Sequence, residues 1–167
     1  MKNNISLGIR KIARLDLKND KLIKGIYMEG YKILGAPIDY AVKYYEQGID
    51  ELVIIDNVAS LFNTKLSLAT IKDISKKVFI PITVGGGIKS ISDVDKCFEA
   101  GVDRVTINSA LFHNLGLINQ VAKKYGSQAI QASIHAKIIA KNTWHAFYEA
   151  GREETGKCVV EYAKELE

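Results

Sequence analysis

Five short apolar runs in this 167-residue chain end on, or lead into, residues with chemistry to offer: Asp16, Asp56, Gly85-Gly86-Gly87, Asn108-Ser109 and His135. In a parallel α/β domain, loops and helix N-termini converge at the C-terminal ends of strands, and ligands bind there. The segment TVGGGIKSISD runs from a strand through three glycines to a helix start. Glycine lets backbone N–H groups approach an anion closely, and a helix N-terminus adds partial positive charge, so Gly86 and Gly87 are candidates for a phosphate site. Asn108 and Ser109 could donate to the same phosphate. A tight turn with no ligand explains three glycines equally well, because the run is a weaker fingerprint than a Walker loop.

Asp16 ends a strongly apolar strand, a setting that suits a carboxyl group to general acid–base work. The plain alternative is a helix cap or an ion pair with Lys18 or Lys24. Asp56 holds the same position on the second strand and reads as a structural hydrogen-bond hub. His135 could move protons near neutral pH, or serve as hydrogen-bonded scaffold. At the opposite strand ends, Arg10, Glu51 and Arg104 read as a solvated salt-bridge cluster. His113 and His145 have no partners at metal-ligand spacing, and neither a metal nor a cofactor is expected.

The elements that must position these groups are legible in the periodicity. Strands are predicted at Lys11–Leu17, Leu52–Asp56, Val78–Val84, Arg104–Asn108 and Ala129–Ile134. Most lack clean alternation, as in strands covered on both faces. Helices are predicted at Ile38–Gln47, Lys65–Lys77, Ile91–Ala100, Leu115–Lys124 and Lys157–Glu167. Pro37 marks a first turn, Ser90 and Ser92 precede a helix, and Gly48, Gly101 and Gly126 follow helices. Five strand–helix alternations give a parallel α/β layout with right-handed crossovers. Two connections are long: Lys18–Leu34 reads as a mobile loop over one face, and Lys137–Ala150 as a small hairpin turning near Lys141-Asn142.

Composition sets outer limits. With 47% apolar and 25% charged residues, the chain reads as one soluble globular domain. No apolar stretch approaches the roughly 18–20 residues of a membrane span, and the basic N-terminus lacks the apolar region of a secretion signal. Cys97 and Cys158 have no metal spacing and read as free thiols in a reducing cytoplasm. The net charge of +4 comes from scattered residues, which does not indicate nucleic-acid binding.

Five segments, IARLDLKNDKLIKG, GIDELVIID, FIPITVGGGIKS, GVDRVTINSA and YGSQAI, resemble in order and spacing the cyclase subunits of imidazole glycerol phosphate synthase. The resemblance covers nearly all 167 residues. It implies a (βα)8 TIM barrel binding a long, bis-phosphorylated ribotide across its top, with ammonia arriving through the barrel from a partner glutaminase. By position, Asp16 matches a catalytic carboxylate and Lys24 a loop that closes over substrate. Gly86, Gly87, Asn108 and Ser109 match one phosphate site. Arg10, Glu51 and Arg104 match three of four charged residues gating ammonia entry, and Asp103 falls on the face that would dock the glutaminase.

There are also departures from the family pattern. His135 stands where the family has its second catalytic aspartate, IARLD replaces a small-Cys-Leu-Asp pattern, and IIDNVAS replaces LDITAS. These wordings, with GREETG, look closer to paralogues in surface-sugar clusters, where a cyclase-like subunit and a glutaminase feed ammonia to an amidotransferase that makes acetamidino sugars. A (βα)8 barrel takes about 250 residues, so residues 1–167 are expected to form its N-terminal part, about five βα units of an incomplete barrel. On that expectation the first and fifth strands are open edges and the chain self-associates.

Overall fold

Alternation along the first strand sets the two sides of the molecule: Leu15 and Leu17 are buried, while Ile12 and Arg14 stand on the opposite face. The computed structural model describes residues 8–26, 30–59 and 66–167. Their order is β1 (Ile12–Lys18), β2 (Lys21–Ile26), β3 (Gly30–Gly35), α1 (Pro37–Glu46), β4 (Glu51–Asp56), α2 (Leu68–Ser75), β5 (Ile82–Gly85) and α3 (Ile91–Glu99). There follow β6 (Arg104–Ile107), α4 (Ser109–His113), α5 (Gly116–Tyr125), β7 (Ile130–Ala132), β8 (His135–Ala140), β9 (Thr143–Tyr148), β10 (Glu153–Cys158) and α6 (Val159–Leu166).

One sheet has the order β3-β2-β1-β4-β5-β6-β7. From β1 through β7 its neighbours are parallel, so the wall is the helix-covered α/β arrangement expected of a (βα) barrel. The helix side buries Leu15, Leu52, Ile54, Val84 and Val105 against Ile71, Ile74, Val94, Leu117 and Val121. Each such aliphatic side chain contributes roughly 1.5–3 kcal/mol by leaving water. Register then places Arg14, Val53, Thr83 and Arg104 in one row across the open face. Asp16, Ile55, Gly85, Thr106 and Gln131 form the next row.

Several expectations change. Lys18–Leu34 is no loop over the sheet: β2 and β3 form an antiparallel extension of it. Asn19 and Asp20 both take positive φ, 49° and 60°, which is the two-residue hairpin turn whose twist matches its strands. The first strand is therefore covered by β2 and is not an edge; β3 and β7 end the sheet. The third predicted strand shortens to Ile82–Gly85, with Val78–Pro81 as lead-in, and the fifth shortens to Ile130–Ala132. The predicted helix start at Lys65 lies outside the described residues.

The hairpin turning at Lys141-Asn142 is present as β8 and β9. A third strand, β10, joins it in a separate sheet and takes Lys157 and Cys158 from the predicted last helix. No described helix is long and apolar enough to cross a membrane. Cys97 is buried and Cys158 half-buried, both as free thiols.

Candidate functional site

At the N-terminal end of the sheet, Glu51 opens β4 with its side chain only 3% exposed. Burial of a carboxylate is costly unless donors surround it. Here Arg104 Nη1 donates to Oε1 at 2.9 Å, Thr83 Oγ1 donates to the same oxygen at 3.1 Å, and Arg10 Nη1 donates to Oε2 at 3.3 Å. Arg104 is further held by its Nε donating to the Gln128 carbonyl at 3.0 Å. The three charges singled out in the sequence thus form one network, with Thr83 an addition the sequence did not disclose. They line an open cavity of about 480 Å³ together with Ile12, Val53 and Gln131.

Asp103 lies at this end too, but its carboxylate is used within the sheet. It accepts from the Ile82 amide at 2.8 Å, while its own amide donates to the Ile82 carbonyl at 2.9 Å. Asp50 makes the same pair of bonds to Lys11, at 2.7 and 2.9 Å.

At the C-terminal end, Asp16 does not sit in the apolar setting expected of it. Its side chain is 32% exposed and pairs with Arg14, neither Lys18 nor Lys24 serving as partner. Arg14 Nε and Nη2 both lie 2.9 Å from Asp16 Oδ1. Lys18 instead places its Nζ 5.0 Å from the centre of the Tyr31 ring. Lys24 is exposed on β2, opposite Lys32 of β3. The i, i+2 rule for one strand face would have exposed the Arg14–Asp16 pair.

Asp56 is the hydrogen-bond hub expected, buried and accepting from the Val58 and Ala59 amides at 3.0 Å each. Burial pushes its carboxyl pKa up, against the pull of those two bonds. The glycines next to it need no ligand to explain them. At Gly86, φ is 103° and an added Cβ would lie 2.3 Å from the Asp56 carbonyl oxygen. Nor does the run lead straight into a free helix end. α3 begins at Ile91 behind a capping box in which Ser90 Oγ accepts from the Asp93 amide, and Asp93 accepts from the Lys89 and Ser90 amides. The Lys89, Ser90 and Asp93 amides at that helix start are therefore already engaged.

Asn108 and Ser109 are also engaged. Asn108 Nδ2 donates to the Ser133 carbonyl at 2.6 Å, and Ser109 Oγ accepts from the Glu149 amide at 3.0 Å. Tyr148, the last residue of β9, stacks on Phe112 with ring centres 4.6 Å apart. The second sheet therefore docks its Glu149–Gly151 turn on the end of β6, a contact that no local pattern announced. Where β8 begins, His135 is half-buried, and its Nδ1 is buried without a hydrogen-bond partner. Burial lowers its pKa, and the charges of Arg14 and Lys137 lower it further. Arg14 thus links the two positions, Asp16 and His135, that the sequence marked for acid–base work. Among the described residues, no group of three His, Cys, Asp or Glu side chains is placed to share a metal ion.

A profile of the family described as "Histidine biosynthesis protein" matches residues 11–167. A Legionella pneumophila protein named "Imidazole glycerol phosphate synthase subunit HisF" is 44% identical over 157 residues, covering 94% of this chain and 74% of the relative. A protein of the same name from Hydrogenobaculum is 42% identical over 163 residues, covering 96% and 64%. One from Helicobacter hepaticus is 37% identical over 161 residues, covering 96% and 64%. The chain therefore spans 64–74% of the length of these three relatives.

Proposed function

Because this chain belongs to the histidine biosynthesis protein family, we propose that it works as the cyclase subunit of imidazole glycerol phosphate synthase. The reaction is a lyase step in histidine biosynthesis, carried out in the cytoplasm. Ammonia released by a partner glutaminase is added to the phosphoribulosyl formimino aminoimidazole carboxamide ribotide, giving imidazole glycerol phosphate and aminoimidazole carboxamide ribotide. In this reading residues 1–167 supply the N-terminal part of one (βα)8 barrel. Arg10, Glu51 and Arg104 form the ammonia gate, and Asp103 belongs to the face that receives the glutaminase. Asp16 is the acid–base carboxylate, with His135 as its proton-moving counterpart. Lys24, Gly86, Gly87, Asn108 and Ser109 hold substrate and one of its phosphates.

The observation that carries this reading is the buried Glu51 carboxylate, clasped by arginines from two other parts of the chain on the floor of an open cavity. Such a network is a gate that small neutral molecules pass only when its ion pairs part. The test is direct: the protein is mixed with ammonium and the ribotide, and imidazole glycerol phosphate is followed by chromatography. Product formation that falls on Asp16→Asn supports the assignment; no product at any ammonium concentration rejects it.

A second reading has support in His135, which cannot supply the negative charge of a carboxylate. In it, the protein channels ammonia from a glutaminase to an amidotransferase that makes acetamidino sugars. Restoring growth without histidine to a cyclase-deficient strain would exclude this reading.

A further inference from the structure

Arg14 lies two residues before Asp16 on β1 and puts a long cation next to that carboxylate. Strand alternation puts it on the open face beside Asp16, because Leu15 and Leu17 are committed to the helix side. The contact has a specific form. Nε and Nη2 converge on one oxygen, Oδ1, at 2.9 Å each, and Oδ2 has no hydrogen-bond partner among the described residues. Two donors from a planar guanidinium restrict how the carboxylate can turn, whereas a single flexible ammonium would not.

The same cation acts on His135. The charged groups felt by that imidazole are Arg14 from β1 and Lys137 on its own strand, both positive. Its partner in register on β9 is Phe147, which brings no charge. Beyond β9, a Cβ built on Gly151 would lie 3.8 Å from the imidazole Nδ1. We propose that Arg14 is a positioning residue of this site: its guanidinium holds one oxygen of Asp16, leaves the other open, and supplies the positive charge that Asp16 and His135 share.

The chemical consequence differs from that of two facing carboxylates, which repel one another until a proton is shared. A proton placed on His135 creates a second cation near Arg14 and is readily given up again. The imidazole is then a ready proton donor, and the open oxygen of Asp16 is free to accept from a bound molecule. This assignment rests on the reading that Asp16 takes part in the reaction.

The test uses Arg14→Met and Arg14→Gln, which remove the charge, and Arg14→Lys, which keeps the charge but loses the fork. His135 is titrated by proton–nitrogen NMR without substrate, and turnover is measured with ammonium and the ribotide. Both uncharged variants should move the His135 midpoint up towards the ordinary 6.5, while Arg14→Lys stays near the parent. In all three, kcat should fall on the order of 100-fold, the scale of a small misplacement of a reacting group, with KM little changed. An unchanged His135 midpoint in both uncharged variants overturns the proposal, and so does parental kcat in Arg14→Met. If the parent itself forms no product, the cyclase reading fails, and the NMR titration still decides whether Arg14 acts on His135.

Discussion

Arg104 and Glu51 meet at 2.9 Å across β5, the strand that separates theirs, and Glu51 is buried while Arg104 is only partly so. Arg10 reaches the other oxygen of the same carboxylate from a side chain that is 66% exposed. The two arginines are therefore unequal partners. Removing Arg104 leaves a desolvated charge short of its nearest cation, which costs about 2–4 kcal/mol. Losing the exposed Arg10 costs under about 1 kcal/mol. Urea unfolding of Arg104→Met and Arg10→Met at neutral pH checks the order; equal losses would contradict it.

Gly86 and Gly87 can be tested in the same kind of experiment. Both have positive φ, 103° and 70°, and at Gly86 an added Cβ also runs into the Asp56 backbone. Gly87→Ala should lose at least about 1–2 kcal/mol, the penalty for a left-handed L-residue. Gly86→Ala should lose about 3 kcal/mol or more, because backbone must move as well. A thermal melt in which both variants match the parent would refute the packing account of the run.

Protonating His135 should weaken the fold. Its folded pKa is depressed below 6.5 by burial first, then by Arg14 and Lys137. A depressed value means the folded state favours the neutral ring, so this stabilisation is complete above 6.5 and is lost as pH falls through the folded pKa. Stability of the parent should decline in that acidic window more steeply than that of His135→Asn. Parallel stability curves for the two proteins from pH 7.5 downward would show that the imidazole contributes nothing.

The two thiols should react unequally. Burial pushes Cys97 up to about 12, so almost none of it is thiolate at pH 8, and the residue is only 2% exposed. Cys158 is half-buried at the start of α6 and remains accessible. Ellman titration of the native protein should find one fast thiol, with the second appearing on denaturation. Loss of the fast phase in Cys158→Ser would identify it.

Short apolar runs are the legible part of this fold. β1, β4 and β6 lie where their apolar runs predicted, because burial on the helix side leaves little freedom in register. β2 and β3 stand where a loop is expected because Lys, Gly and Tyr are as common in loops as in an edge hairpin; the turn-forming Asn19-Asp20 is the local sign of the hairpin. Residue type marked Glu51, Arg10 and Arg104, and the structure joins them. Thr83 and the Ser109–Glu149 bond depend on segments brought together only by the whole chain, so no local pattern could announce them. Arg14 stands two residues before a strand end, on the same face as Asp16, so strand alternation alone makes the pair legible.

Asp50 and Asp103 complete the picture from the other end of the sheet. Each follows the same Gly–aliphatic pair, and each clamps the strand beside it through one amide and one carboxylate. Alignment of neighbouring strands is thereby settled below, by two short devices that never touch the rim where Asp16 and His135 stand. Substitutions at Arg14 or His135 can then be made without touching the bonds that align the frame. Architecture and reactivity are free to change on separate schedules.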